Sequence, residues 1–548
     1  MSKSKIMKPG MRGVIVRVLS FPGGFLALAW FLIRVIPKPS RALYPCQRAA
    51  FPLASAFVAA LLGLGMTRGV RQLARPQLAN SRPARSRGLV SVLLIAACLP
   101  FFLFGSAAPV STDFASPASA PAALVRGPIG EPRGIRPGRV AWAFDPGATP
   151  WKGIGNGHWW EPQSTNQSVV DTMLAQVVCS VAGASGAQSS NVAASWDALL
   201  KFYNASEGRG SRGYQKGERF MIKVNFVGAI AVWGALGPDA IDYPNTSPHV
   251  IHALLDQLVN RAGVTQSDIT VGDTLCNFPD GYYNLLARDF PRVNYLSYTP
   301  QSGRVTPRPS SVRMFWSTPN ADGTRPDYLP TCFAEAAYLV NLANLKGHFD
   351  QAGITLCGKN NYGSLYRRPD GPGGFFNLHA DSPRNNPRAG SYRNMVDLMA
   401  HDGLGGKTVL YLIDGLYAAR HSARVESGRP LRWKSAPFNG GWTSSLFASQ
   451  DPVAIDSVGM DFLLAEWPIV DPGESISPAS PGVEDYLVEA ALVSAPPSGV
   501  FYHPTDASPV KRPSSLGVHE HWKDAVSRRY SGNDGKKGIE LVQLGGSP

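Results

Sequence analysis

Met221-Ile-Lys-Val-Asn-Phe-Val-Gly228 decides how this chain is read: a strand-like apolar run ends in a lysine and an asparagine two residues apart. Successive strand side chains point to opposite faces, so Lys223 and Asn225 share one. Further on, Asn245-Thr-Ser-Pro248 supplies an N-cap and a proline at the first helical position. It opens a helix to about 262, with Val250, Leu254, Leu255 and Leu258 on one face and Gly263 beyond its end. Ile269-Thr-Val271 is a short strand delivering Gly272-Asp273, followed by a helix over 282–288 and a strand over 293–298. Strands and helices alternating at this spacing are βαβ units. The fold class expected is α/β: a mostly parallel open sheet with helices on both faces, interrupted by irregular Pro/Gly-rich insertions and a tail.

Outward from this stretch, the pairing of an apolar run with a terminal polar cluster recurs. Leu345-Lys-Gly-His348 follows Ala337-Tyr-Leu-Val-Asn-Leu-Ala-Asn344, and Gly358-Lys-Asn-Asn-Tyr-Gly363 comes ten residues later. Ile413-Asp-Gly415 closes a run beginning at Thr408, and Asp451-Pro-Val-Ala-Ile-Asp456 follows a last strand at 445–449 and opens a helix through Glu466. Such residues are not buried without partners. At the carboxyl ends of strands they lie where open α/β sheets bind ligands.

The candidate catalytic residues are therefore Lys223, Asn225, Lys346, His348, Lys359, Asn360 and Asp456, with Asp273, Asn361, Asp414 and Asp451 as candidate ligand-binding residues. Lys223 could pair with a phosphate or carboxylate, or snorkel from the sheet edge. His348 could carry a proton or hold a metal. Lys359, Asn360 and Asn361 place an ammonium and two amides in one turn, which can hold an anion or satisfy its own backbone. Asp451 before a proline has the form of a helix cap. Asp456, inside the apolar helix, is expected to meet a lysine or a metal. His249 and His252 share a helix face but lack a placed third ligand, and His379-Ala-Asp381 and His401-Asp402 are weaker metal candidates. The run His401-Asp-Gly-Leu-Gly-Gly-Lys-Thr408 ends like a phosphate loop but lacks its first glycine and precedes a strand. No G-x-S-x-G and no H-E-x-x-H occurs, which removes the simplest hydrolase and zinc-protease readings.

Charge is unevenly distributed. Of 53 Lys and Arg, 15 fall in residues 1–110, which hold no Asp or Glu, leaving 38 basic against 39 acidic side chains elsewhere. The folded part is neutral, so a basic nucleic-acid surface is not expected. Residues 1–110 contain apolar runs at 14–36, 51–66 and 89–104, and the last, after Arg82, Arg85 and Arg87, ends in Gly-Ser-Ala-Ala-Pro109. This is the pattern of an export signal or anchor; two or three membrane helices, or a start at Met66, are the alternatives. The protein is expected to be exported, periplasmic or extracellular, with its N-terminal region meeting membrane or export machinery.

The cysteines at 46, 98, 179, 276, 332 and 357 include no C-x-x-C, so no iron–sulfur cluster or zinc ribbon is encoded. The last four are either buried thiols or one or two disulfides. A linker is expected at 111–140, an aromatic and helical lead-in with helices at 169–181 and 192–203 at 141–214, and an irregular extension with one helix near 483–493 at 471–548.

Taken in order, K-V-N (223–225), N-T-S-P (245–248), V-G-D (271–273), N-L-K-G-H (344–348), G-K-N-N-Y-G (358–363) and S-Q-D-P-V-A-I-D (449–456) resemble the DUF362 family over about residues 215–470. It is a prokaryotic domain of unknown function, often exported and sometimes fused to ferredoxin-like modules that this chain lacks. The resemblance implies an α/β fold and export, and supplies no reaction. The functional expectation is an enzyme with a Lys/Asn/His/Asp cleft that acts on an anionic small molecule or uses a divalent metal. The alternatives are a non-catalytic periplasmic binding module and a redox accessory protein.

Overall fold

The computed structural model describes residues 127–545 apart from 185–190, 233–241, 318–325, 349–350, 375, 423–428, 472–473 and 506–512. The expected leader and most of the linker lie outside them. Among the described residues no helix is long and apolar enough to cross a membrane.

The main sheet is built from β1 (Arg139–Phe144), β2 (Phe220–Val224), β3 (Ile269–Gly272), β4 (Asn294–Leu296), β5 (Tyr338–His348), β6 (Gly353–Thr355), β7 (Thr408–Ala419), β8 (Ser445–Ser449) and β9 (Glu540–Leu544). In space the order is β9-β1-β8-β7-β5-β2-β3-β4, with β6 folded back on β5. The pairs β2–β3, β3–β4, β2–β5, β5–β7 and β1–β9 are parallel. β8 pairs antiparallel with both β7 and β1, so it alone in this row runs the other way. The sheet is mostly parallel, as expected.

Helices cover both faces. The main ones are α1 (Gln167–Val181), α2 (Val192–Ser206), α3 (Pro248–Asp256), α4 (Asp280–Ala287), α5 (Cys357–Asn360), α6 (Asn394–Ala400), α7 (Pro452–Glu466) and α8 (Asp485–Ala491). The two-residue period of β5 shows how the faces divide. Tyr338, Val340 and Leu342 join the core under α1–α4, whereas Leu339, Ala343 and Leu345 join the core under α6–α8. A strand buried on both faces has no polar side, and this is why β5 reads as a nearly continuous apolar run.

Departures from expectation concern the flanks and the insertion. β1 lies in the aromatic lead-in, where the sequence shows no clean strand signal, yet Trp142 is fully buried against Phe447 and Phe462. β9 comes from the tail expected to be irregular, and Ile129–Gly130, inside the expected linker, pairs with Val518–His519. The Pro/Ser-rich insertion at 299–330 contains a strand pair, Pro309–Met314 with Asp327–Pro330. The sheet therefore draws strands from well outside residues 215–470. Cys179, Cys276, Cys332 and Cys357 are all unpaired thiols, so no disulfide joins the described residues.

Candidate functional site

The row β4-β3-β2-β5-β7 steps outward from β2 in one direction and then resumes on its other side at β5. The gap between the carboxyl ends of β2 and β5 is the point where such a sheet opens a crevice for ligands. The polar clusters meet there.

Lys223 is fully buried beside Asn341, its register partner on β5. Its Nζ donates to Asp273 Oδ2 at 2.9 Å, Asn360 Oδ1 at 2.9 Å and the Val224 carbonyl at 2.5 Å. An ammonium has three donors, so Lys223 is saturated. Asn360 Nδ2 donates to Asn341 Oδ1 at 2.8 Å, and Asn341 Nδ2 donates to Asn361 Oδ1 at 3.1 Å. Thr274 holds the neighbouring loop by donating to the carbonyls of Gly363 and Leu365. Gly363 is required at that approach, because a Cβ there would collide with the Asp273 carboxylate.

Lys346 belongs to the other face of the sheet and is also fully buried. Its Nζ donates to Asn225 Oδ1 at 2.8 Å and to the Pro244 carbonyl. Asn225 Nδ2 in turn donates to Asn360 Oδ1 at 3.3 Å, so one network runs from Asp273 through Lys223, Asn360 and Asn225 to Lys346. Burial pulls Lys346 down to about 7; Lys359 and Lys223 add to this, while Cys276 and Asp414 oppose it. Asp414 accepts from the amides of Ser247 at 2.7 Å and Leu416 at 3.0 Å, and burial pushes it up to about 6.

The Asn245-Thr-Ser-Pro motif does more than start α3. Ser247 caps the helix, Thr246 Oγ1 accepts from the Asn225 amide at 2.8 Å, and the Asn245 carbonyl accepts from Asn344 Nδ2 at 3.0 Å. With Asp414 on Ser247, it pins β2, β5 and β7 together at their carboxyl ends.

Lys359 and His348 form a second group. Lys359 Nζ sits 3.8 Å from the centroid of the Tyr362 ring, Tyr362 packs edge-on against His379, and His379 lies 5.9 Å from His348 between ring centroids. Gly347, between Lys346 and His348, could not carry a side chain: its Cβ would collide with the Arg420 carbonyl.

Two expected site residues are elsewhere. Asp456 meets backbone amides and a tyrosine, not a lysine: its oxygens accept from the amides of Cys357 and Gly358, each at 2.8 Å, and from Tyr486 Oη at 2.9 Å. It anchors α5 from below, because the first amides of a helix have no partners of their own. Asp451 is the cap of α7 and accepts from Val453, Ala454, Arg133 and Val518 amides. Both hold the frame of the site. Sequence reasoning missed Asn341, Asn344 and Thr246; the two asparagines inside an otherwise apolar strand were the available signal.

Two clefts among the described residues are lined by other residues. One of about 490 Å³ is bordered by His249, His252 and Asp289, and one of about 580 Å³ by Arg219, Asn294 and Arg304. His249 itself is committed to Gln167 and the Trp160 carbonyl.

Fold and site together define an α/β protein with a buried lysine–amide–carboxylate network at the switch point of a mostly parallel sheet. Residues 221–461 match the family described as a domain of unknown function, DUF362, and the chain carries a DUF362 domain there. That span runs from β2 into α7 and contains the whole network; β1 and β9 lie outside it. Comparison with curated proteins and with solved structures gives no match.

Proposed function

We propose that the chain is an enzyme that binds an anionic small molecule at the carboxyl edge of its sheet and uses Lys346 to move a proton. The observation behind this reading is the state of Lys346, a fully buried amine brought to about 7. Such a lysine exchanges a proton readily near neutrality, as a general base must. Among the described residues two acceptors meet its ammonium, which leaves a third donor position for a ligand. Lys359 supplies positive charge nearby, and His348 offers a second proton carrier at the end of the aromatic row. Lys223, Asp273, Asn360 and Asn341 hold the geometry. The acid-free leader with its 89–104 apolar run supports an exported protein, anchored or cleaved.

Saturation of Lys223 by protein partners favours a second reading, a binding module with the same residues and no chemistry. The test is incubation of the full-length protein with a panel of phosphorylated and carboxylated small molecules, read by mass spectrometry and calorimetry. The enzyme reading expects a member whose turnover slows about 10²–10⁴-fold in Lys346→Met and His348→Ala while binding persists. Binding without turnover in the wild type replaces it with the binding module. Neither binding nor turnover of any anion overturns both.

A further inference from the structure

We infer that Glu484, His519 and His521 form a binding site for one divalent transition-metal cation of the zinc class, outside the DUF362 domain. The three offer ligand atoms that lie within 4.8 Å of one another. His519 ends the short strand Val518–His519, His521 follows two residues later, and their ring centroids lie 5.3 Å apart. Both Nε2 atoms converge on a single carboxylate oxygen, each 2.8 Å from Glu484 Oε1. His519 is fully buried, and the side chains of His521 and Glu484 retain 7% and 21% of their exposure.

The outer hydrogen bonds fix which nitrogens point inward. Ser457 Oγ donates to the Val453 carbonyl at 2.7 Å, so it accepts from His519 Nδ1 at 2.8 Å. His521 Nδ1 donates to Asp461 Oδ1 at 2.5 Å, and Asp461 Oδ2 is itself held by the Trp522 amide and Tyr530 Oη. With both Nδ1 atoms acting as donors, each ring turns its Nε2 toward the same carboxylate oxygen, donating a proton to it when the ring is charged and offering a lone pair when it is not. Once those protons leave, three acceptors face one another and a cation can take the place between them. A histidine ligand oriented through its far nitrogen by a carboxylate or hydroxyl is the usual support of a metal centre. Two imidazoles and a carboxylate suit zinc, which takes such ligands at about 2.0–2.2 Å and is completed by water. The partly exposed side of Glu484 gives that water access.

The fold gives the site a task. Ser457 and Asp461 lie on α7, Glu484 immediately precedes α8, and His519 and His521 lie on the segment leading to β9. A metal here would staple the C-terminal segment to the helix that carries Asp456 and hence α5.

The test uses the full-length protein, stripped with a chelator and titrated with Zn²⁺ against a chromophoric chelator, then with Co²⁺. One equivalent of zinc is expected, with a visible tetrahedral cobalt spectrum and a raised thermal midpoint. Glu484→Gln and His521→Gln should lose the cobalt spectrum. Asp461→Asn, which reaches the ligand set only through the far nitrogen of His521, should keep one equivalent with about 10–100-fold weaker affinity. Failure of the stripped wild type to take up either metal overturns the site, as does unchanged binding in Glu484→Gln. If the ligand variants do not fold by circular dichroism, X-ray absorption of the cobalt form decides: two imidazoles with oxygen ligands support the site, and any other donor set overturns it.

Discussion

Lys346 Nζ stands 2.8 Å from Asn225 Oδ1, and this one hydrogen bond joins two lysines held on opposite faces of the same sheet. Lys223 lies under α5 and Lys346 faces α3, yet Asn225, one residue past the end of β2, reaches both Lys346 and the amide that holds Lys223. The network exists because β2 stops there. Had the strand continued, Asn225 would have stayed on the Lys223 face.

The state of Lys346 sets a pH dependence. Its folded pKa, about 7, is below the unfolded value of 10.5. Between those values the unfolded chain binds more protons, so stability rises with pH across that window. Below about 7 both states are protonated and the cost of burying the ammonium is fully present. Lys346→Met should flatten that rise and remove a cost on the order of a few kcal/mol, since a tenfold change in proton affinity is worth about 1.4 kcal/mol. Urea unfolding of both proteins from neutral to alkaline pH checks it; parallel profiles would show that Lys346 is not buried as an amine.

Asp414 acts in the opposite direction at lower pH. Burial raises it from 3.8 to about 6, so the folded state binds the extra proton and stability declines as pH rises between those values. Asp414→Asn should abolish that decline. It should also cost about 1–3 kcal/mol, because one amide oxygen cannot serve both the Ser247 and Leu416 amides. Acid-side unfolding curves separate the two effects.

Lys223 and Asp273 form a buried ion pair, with side-chain exposures of 0% and 6%. Removing one partner leaves the other without its counter-charge, at about 3–5 kcal/mol. Lys223→Met and Asp273→Asn should each destabilise by that order, and the double variant by clearly less than their sum. Gly363→Ala should disturb the same pair from outside, by pushing the Asp273 carboxylate. A double-mutant cycle by chemical unfolding measures the coupling; additive losses would mean the two charges do not interact.

Legibility in the sequence followed local chemistry. α3 was readable because Ser247 and Pro248 announce it, and β5 because a strand buried on both faces is apolar throughout. Lys223, Asn225, Asp273, Lys346, Asn360 and Asn361 were readable as a group because polar residues ending apolar strands have few other uses. The role of Asp456 was not: a carboxylate in an apolar helix looks alike whether it meets a metal or the amides of α5. β1 and β9 were hidden for another reason. Trp142 and Leu541 are held by pairings of β1 with β8 and β9 that join residues more than three hundred apart in sequence, and no local period reports such a pairing.

β9 gives the last test. It is an outer strand, lying parallel to β1 with Val542 opposite Ala141, and Leu541 sits in the core. Removing residues 538–548 would expose the backbone edge of β1, and an unpaired edge invites pairing with another chain. Loss of the Leu541 side chain alone should cost about 1.5–3 kcal/mol. The truncated protein should therefore unfold at lower urea and self-associate in size-exclusion chromatography, whereas Leu541→Ala should show the destabilisation without the association. A truncation that remains monomeric and as stable as the full chain would mean that β1 forms the edge of the sheet in solution.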